Sequence, residues 1–251
     1  MAGAIPFVVT ADAEYRAAAT SCSFQDIPQT TDGVASVTGS ELRSNYANRM
    51  RDKRTPGRAI YDQLRAEHIS TTCPYCGLRR VKTLDHFLPQ VDYPLLSVMP
   101  INLVPSCMIC NGTKDTICPT AAEEVLLHPY YDDIDSQIWL IGEVLETNPV
   151  GITFRVSPPA GWPELLSQRV MNHFETFGIA ELCSDNAANE LGNLRVYFFD
   201  LFNALGEDAV RDHLKRILAS YRDNRRNSWG SAMYAALLES DWFCSIGCTQ
   251  I

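Results

Sequence analysis

Two cysteine pairs limit what this chain can fold into more than any other feature. "CPYC" (Cys73, Cys76) and "CMIC" (Cys107, Cys110) stand with 30 residues between them. A CxxC turn brings two sulfurs to one side, and two such turns supply the four soft thiolates of a closed tetrahedral zinc site. A redox dithiol needs one pair, not two. The chain must therefore close on itself around the insert "GLRRVKTLDHFLPQVDYPLLSVMPINLVPS", which is longer than a compact zinc ribbon holds. The other cysteines (Cys22, Cys118, Cys183, Cys244, Cys248) read as ordinary thiols. Cys118 follows the second pair closely enough to be an outlying candidate ligand.

Composition supports a globular protein with metal-bound cysteines. At 251 residues and 46% hydrophobic content the chain has area for a sizeable core. It has no apolar run of the roughly 18 residues that a membrane span requires. The opening "MAGAIPFVVTADAEYRAAAT" lacks a charged leader region and reads as a mature cytoplasmic N-terminus. Nine cysteines without a secretory signal point to metal rather than disulfides. The net charge of −9 argues against a nucleic-acid partner until its distribution is considered. Residues 41–82 hold ten of the 21 Lys and Arg (Arg43, Arg49, Arg51, Lys53, Arg54, Arg58, Arg65, Arg79, Arg80, Lys82) against four acids, a local charge of +6 that leaves −15 for the rest. Screening confines phosphate attraction to about 10 Å, so such a strip matters more than the total. The plainer reading is a solvated helix face.

Residues 1–37 read as a loose lead-in. Thr38 and Glu41 fit a capping box, and Pro56-Gly57 divides a basic stretch into two helices. Short apolar pieces over 71–118 predict hairpins followed by a helix. "IWLIGEVL" and "GITFRVSP" predict a hairpin around "ETNPV". From about residue 163 the apolar spacing turns helical, in "PELLSQRVMNHFETFGI", "AANELGNLRVYFFDLFNAL", "EDAVRDHLKRILASYRDNRR" and a last packed helix in "NSWGSAMYAALLESDWFC".

The insert also carries chemistry. Asp85-His86 stand on a predicted strand and Pro89-Gln90 in a loop. Asn102 follows at a second strand or turn, and Asn111 and Lys114 come directly after the second cysteine pair at the start of a helix. On a regular strand Asp85 and His86 would face opposite sides, so convergence requires a twist or a strand end between them. In order and spacing, "LDHFLPQ", "INLVPSCMICNGTK" and the two CxxC pairs resemble the HNH nucleases over about residues 70–131.

The resemblance implies an α+β protein: a ββα-metal HNH core (70–131) with a four-cysteine structural zinc, a basic helical N-terminal segment (1–69) and a hairpin plus mainly helical C-terminal domain (132–251). It implies His86 as general base and Asp85 and Asn111 as ligands of a catalytic divalent cation, Asn111 standing where many members carry a final histidine. Two oxygen ligands favour Mg²⁺ or Mn²⁺ there. Asn102 would tie the strands and orient His86. Lys114, with Arg79, Arg80 and Lys82, would meet DNA phosphates. The expected activity is one-metal hydrolysis of DNA phosphodiesters, one strand per site, so that a double-strand cut implies an oligomer or two events. Analogy adds a setting in restriction or phage defence, with an ATPase or other subunit as partner.

A rival from another class is a non-catalytic, zinc-stapled nucleic-acid-binding protein. It explains the cysteines and the basic strip but gives Asp85, His86 and Asn111 no task. A zinc deaminase needs His-x-Glu, whereas Phe87 and Leu88 follow His86. His128 reads as a packing residue, and His68, His173 and His213 as structural or surface groups. Arg211, Lys215, Arg222 and Arg226 form a helical stripe that either extends a DNA track or is solvated.

Overall fold

Alanine shapes the first element. In the computed structural model, which describes residues 2–66 and 71–251, helix α1 runs Ile5–Ser21 with Pro6 in its first turn, where a missing N–H costs nothing. Ala11, Tyr15, Ala18 and Ala19 form its buried side, and Cys22 ends it in the left-handed conformation (φ 53°). The loose lead-in expected over 1–37 is thus corrected. "ADAEYRAAATS" is rich in the strongest helix former, and its small side chains carry little apolar periodicity to signal the helix.

Strands β1 (Gly33–Val34) and β2 (Val37–Thr38) make a minimal ladder. Thr38 then caps α2 (Gly39–Asn45) with the expected box: its hydroxyl accepts from the Glu41 N–H, and the Glu41 carboxylate accepts from the Thr38 N–H. The next turn, Tyr46–Arg51, widens into a π-helix, a form that recurs at functional sites. After Pro56-Gly57 comes α3 (Arg58–Ala66). Gly57 is required here, since a Cβ would lie 2.2 Å from the Arg49 carbonyl oxygen.

β3 (Thr83–His86) pairs antiparallel with β4 (Leu103–Ser106), His86 opposite Leu103 and Asp85 opposite Val104. The chain passes directly into α4 (Met108–Lys114), completing a β-β-α sequence of elements. Leu84 and Leu103 share one buried cluster with Tyr46, Met50 and Tyr61, which fixes the N-terminal helices to the hairpin. Helix α5 (Glu164–Thr176) completes this first compact unit, Met1–Asp132 with Glu164–Phe177. The N-terminal segment and the cysteine region therefore share one unit.

The second unit is Asp133–Pro163 with Gly178–Ile251. Its hairpin pairs β5 (Leu140–Leu145) with β6 (Gly151–Val156) as expected. The two helices read between 187 and 226 lie on one continuous element, α6 (Ile179–Asn224), broken only at Gly206 (φ 76°, ψ −171°). The final stretch forms α7 (Trp229–Glu239) and α8 (Asp241–Ser245), separated by Ser240, whose hydroxyl caps the second. Phe198, Val210, Leu214, Met233, Leu237 and Phe243 are fully buried. The fold is mixed α and β, and no helix of the described residues is long and apolar enough to cross a membrane.

Candidate active site and metal centre

The four cysteines meet. Cys73, Cys76, Cys107 and Cys110 are buried and their sulfurs all lie within 4.8 Å of one another. Each pair is shaped by its own backbone: the Arg79 N–H donates to the Cys76 sulfur (3.4 Å) and the Cys110 N–H to that of Cys107 (3.3 Å). Sulfurs about 2.3 Å from a tetrahedral zinc would lie about 3.8 Å apart, so donor set and spacing fit one structural zinc. Cys118 stands outside the cluster, its sulfur 3.5 Å from the Tyr93 hydroxyl and 3.7 Å from the Gln29 amide, and is not a ligand.

Asp85 and His86 both belong to β3, and their side chains take different partners, as an uninterrupted pleat requires. No strand end separates them. His86 packs edge-on to Tyr46 (ring centroids 4.5 Å apart), while Asp85 accepts from the Tyr75 hydroxyl at 2.9 Å. What joins the two is Lys114. Its ammonium donates to the His86 carbonyl at 2.7 Å and lies 3.4 Å from Asp85 Oδ2. Lys114 is only 1% exposed, so the phosphate contact expected of it is replaced by a brace inside the protein. Burial raises the Asp85 carboxyl above its usual range, against the opposing charge of Lys114 and the Tyr75 hydrogen bond.

His86 Nε2–H donates to the Ser97 carbonyl at 2.8 Å, and the Ser97 hydroxyl in turn donates to the Leu42 carbonyl at 3.1 Å. Burial depresses the imidazole to about 4, with the Ser97 bond opposing, so the ring is neutral near pH 7. Its Nδ1 lone pair has no hydrogen-bond partner among the described residues. The other buried histidines of this unit differ. His128 donates from Nε2 to the Tyr15 hydroxyl oxygen (2.8 Å) and accepts the Tyr130 N–H at Nδ1 (3.2 Å). His173 donates to the Tyr75 carbonyl (2.7 Å) and accepts the Leu127 N–H (3.3 Å). Both are satisfied core groups.

Asn102 is fully buried and uses its whole amide on backbone. Oδ1 accepts the Leu88 N–H at 2.8 Å, and Nδ2 donates to the carbonyls of Leu88 (3.1 Å) and Leu96 (3.3 Å). Its own carbonyl accepts the Phe87 N–H at 2.8 Å. The loop after His86 is thereby clamped. Asn111, half-buried on α4, donates from Nδ2 to the Leu84 carbonyl at 3.3 Å, which leaves Oδ1 available beside the Leu84–Asp85 step.

Arg80 and Lys82 are exposed on the chain running from the first cysteine pair into β3, and Arg79 is half-buried, its Nη1 without a hydrogen-bond partner among the described residues. In the N-terminal strip Arg54 pairs with Asp52, and Arg58 and Arg65 with Asp62. Arg49 and Arg51, exposed on the π-turn that seats Tyr46, make no ion pair among the described residues. His68 lies outside the described residues. In the second unit the basic stripe is largely engaged internally: Arg211 with Glu207 and Asp241, Lys215 with Asp212, and Arg226 with the Ser136 carbonyl. His213 meets the Tyr197 hydroxyl through Nδ1 (2.8 Å).

Tyr75 was not among the residues singled out in the sequence. Its signal was an aromatic residue held between two ligating cysteines. Arg169 also escaped notice: 2% exposed, it pairs with both Asp132 oxygens (2.9 and 2.6 Å) and donates to the Val125 and Leu126 carbonyls (2.9 and 3.1 Å).

No protein-family model matches the chain, and no solved structure does. Protein ea31 of Escherichia phage lambda is 33% identical over 230 residues, 85% of this chain and 77% of that protein. Septu protein PtuB of Bacillus thuringiensis is 33% identical over 85 residues, 32% of either chain. Uncharacterized protein 075L of Frog virus 3 (isolate Goorha) is 28% identical over 64 residues, 24% of this chain and 76% of it. On the length and identity of the first of these matches, the chain belongs to the family of the phage lambda protein ea31.

Proposed function

We propose that the chain is a metal-dependent HNH-type endonuclease that hydrolyses DNA phosphodiester bonds. The observation that carries this reading is the asymmetry of His86: among the described residues, of the three buried histidines in its unit, it alone has one ring nitrogen anchored and the other unclaimed. A general base needs that combination, a neutral imidazole in a fixed tautomer with a lone pair directed at no protein group. In the proposed reaction Nδ1 takes a proton from a water molecule as its oxygen bonds to phosphorus. The bond to the leaving oxygen breaks, giving a 5′- or 3′-phosphate and a free hydroxyl.

The remaining residues supply position and charge. Asn102 clamps the loop that follows His86, and the Ser97 carbonyl holds the ring. Asp85 and the free Oδ1 of Asn111 are the groups that would hold one Mg²⁺ or Mn²⁺, a hard ion suited to oxygen donors. Such an ion would neutralise the charge that develops on the phosphoryl oxygens and the leaving group. Arg80, Lys82, Arg49 and Arg51 offer positive charge for the DNA backbone. The four-cysteine zinc holds the start of α4, from which Asn111 and Lys114 project. Similarity to a phage protein and to a Septu protein supports a phage-related setting. Action with an ATPase or other subunit that delivers DNA belongs to the same proposal.

Purified wild type and His86→Ala, with equal zinc content, are incubated with supercoiled plasmid in Mg²⁺, Mn²⁺ or EDTA. The reading requires metal-dependent nicking by wild type and loss of at least about 100-fold in the variant. Equal cutting by both sinks His86 as the base. No cutting by either, alone or with co-purified partners, together with DNA binding, would favour the zinc-stapled binding protein.

A further inference from the structure

The cysteine pair that opens the zinc site also reaches into the proposed active site. Tyr75 sits between Cys73 and Cys76, is 1% exposed, and donates its hydroxyl to Asp85 Oδ2 at 2.9 Å. Two contacts hold it from behind. Its ring stacks on Phe177 (centroids 5.0 Å apart, planes 16° from parallel), and its carbonyl accepts the His173 Nε2–H at 2.7 Å. The tyrosine thus spans from the metal-bearing turn to a carboxylate ten residues later, with no freedom at either end. We propose that Tyr75 is a positioning residue: it fixes the rotamer of Asp85, so that the structural zinc site orients the ligand of the catalytic cation.

The proposal rests on the nuclease reading and adds to it. A carboxylate that binds a metal through one oxygen is oriented by what holds its other oxygen, and losing such a partner typically costs about 10- to 100-fold in metal affinity. Lys114 also lies near Asp85 Oδ2, but at 3.4 Å, and its shortest bond goes to the His86 carbonyl. The directed bond to Asp85 comes from Tyr75. A tyrosine in a CxxC turn for packing alone would not need its hydroxyl on this carboxylate.

Tyr75→Phe keeps the ring on Phe177 and the backbone bond to His173 and deletes only the hydroxyl. Zinc content, Mn²⁺ affinity and plasmid nicking are measured on the full chain, with Tyr130→Phe as control. Tyr130 gives its hydroxyl to the Leu103 carbonyl (2.9 Å) in the same hairpin. Tyr75→Phe is expected to retain zinc, bind Mn²⁺ about 10- to 100-fold more weakly and lose kcat without a change in KM for DNA, while Tyr130→Phe matches wild type. Wild-type values in Tyr75→Phe, or equal losses in both variants, overturn the proposal. If Tyr75→Phe fails to load zinc, wild type decides alone. The NMR signal of Tyr75 Cζ must shift as Mg²⁺ is titrated, and a signal that stays in place while Mg²⁺ binds overturns it. A wild type that binds no second metal and cuts no DNA removes the nuclease reading, and this inference with it.

Discussion

The two compact units solve the problem of a buried interior differently. Among the described residues, ten of the twelve buried polar or charged side chains lie in the first unit: Asp85, His86, Ser97, Asn102, Ser106, Lys114, His128, Ser167, Arg169 and His173. The second unit buries only Asn227 and Ser231 and fills its core with Phe198, Val210, Leu214, Met233, Leu237 and Phe243. An apolar core needs only volume and pattern, and it tolerates exchange. A buried polar network has to satisfy each member, and costs stability wherever one partner is lost. The first unit therefore gives up tolerance for polar specificity, and a metal held by its four cysteines would offset part of that cost.

The comparison is broken most severely at the metal. Cys107→Ser or Cys110→Ser removes one of the four sulfurs of the cluster, where a structural zinc would contribute on the order of 10 kcal/mol to folding. The first unit is expected to lose zinc and its cooperative transition. The second should keep its own, and the two can be followed separately because all four tryptophans (Trp139, Trp162, Trp229, Trp242) belong to the second unit. Tryptophan fluorescence then reports one unit and zinc release the other. A variant that lost both transitions together would show the units to be one cooperative body.

Single side chains sharpen the contrast. Arg169→Met strands Asp132, whose side chain is 8% exposed, and leaves the Val125 and Leu126 carbonyls without their donor. Losing one partner of a buried ion pair costs about 3–5 kcal/mol, read as earlier zinc release in urea. Phe198→Ala in the second unit costs a similar amount, about 3–5 kcal/mol, by opening a cavity. There the tryptophan transition should move while Mn²⁺ affinity stays unchanged. Refilling separates the mechanisms: Phe198→Leu is expected to recover most of the loss, whereas Arg169→Lys cannot rebuild a planar two-pronged bond.

How much of this was legible in the sequence follows the same division. Ligand type and spacing marked the four cysteines, which the structure brings together, because a metal cluster is written in residue identity and order; the same reading of order is what proposes roles for Asp85, His86, Asn102 and Asn111. The hairpin over 140–156 and the late helices were legible in their periodicity. Lys114 stands three residues after Asn111 on α4, but burial at 1% exposure and its bonds to the His86 carbonyl and Asp85, which local sequence does not encode, make it an internal brace. Helix α1 was hidden because its buried side is largely alanine. Tyr75 and Arg169 could not be found by local pattern, since their partners lie ten and 37 residues away. The packing of α5 into the first unit is likewise a tertiary fact that its own periodicity does not encode.

Acid should divide the units more gently, and through two particular rings. His128 and His173 accept a backbone N–H at Nδ1 while donating from Nε2, so a second proton has nowhere to go without breaking a bond. Burial is the leading cause of depression for both, to about 3 for His128 and about 4 for His173. The unfolded chain takes up these protons near the ordinary value of 6.5, the folded chain only far below. Stability is therefore complete above pH 6.5 and declines as pH falls toward 3–4, by about 1.4 kcal/mol per pH unit for each ring. Protonation of zinc thiolates adds its own acid dependence to the first unit, so the informative quantity is a difference in slope. His128→Phe is expected to be less stable at pH 8, having stranded the Tyr15 hydroxyl and the Tyr130 N–H. Between pH 6 and 5 its urea midpoint should fall less steeply than that of wild type, by about 1.4 kcal/mol per unit. Equal slopes would mean that His128 takes up its proton in the folded protein, and that the aromatic enclosure of Tyr15, Phe24 and Phe87 opens to water before the unit unfolds.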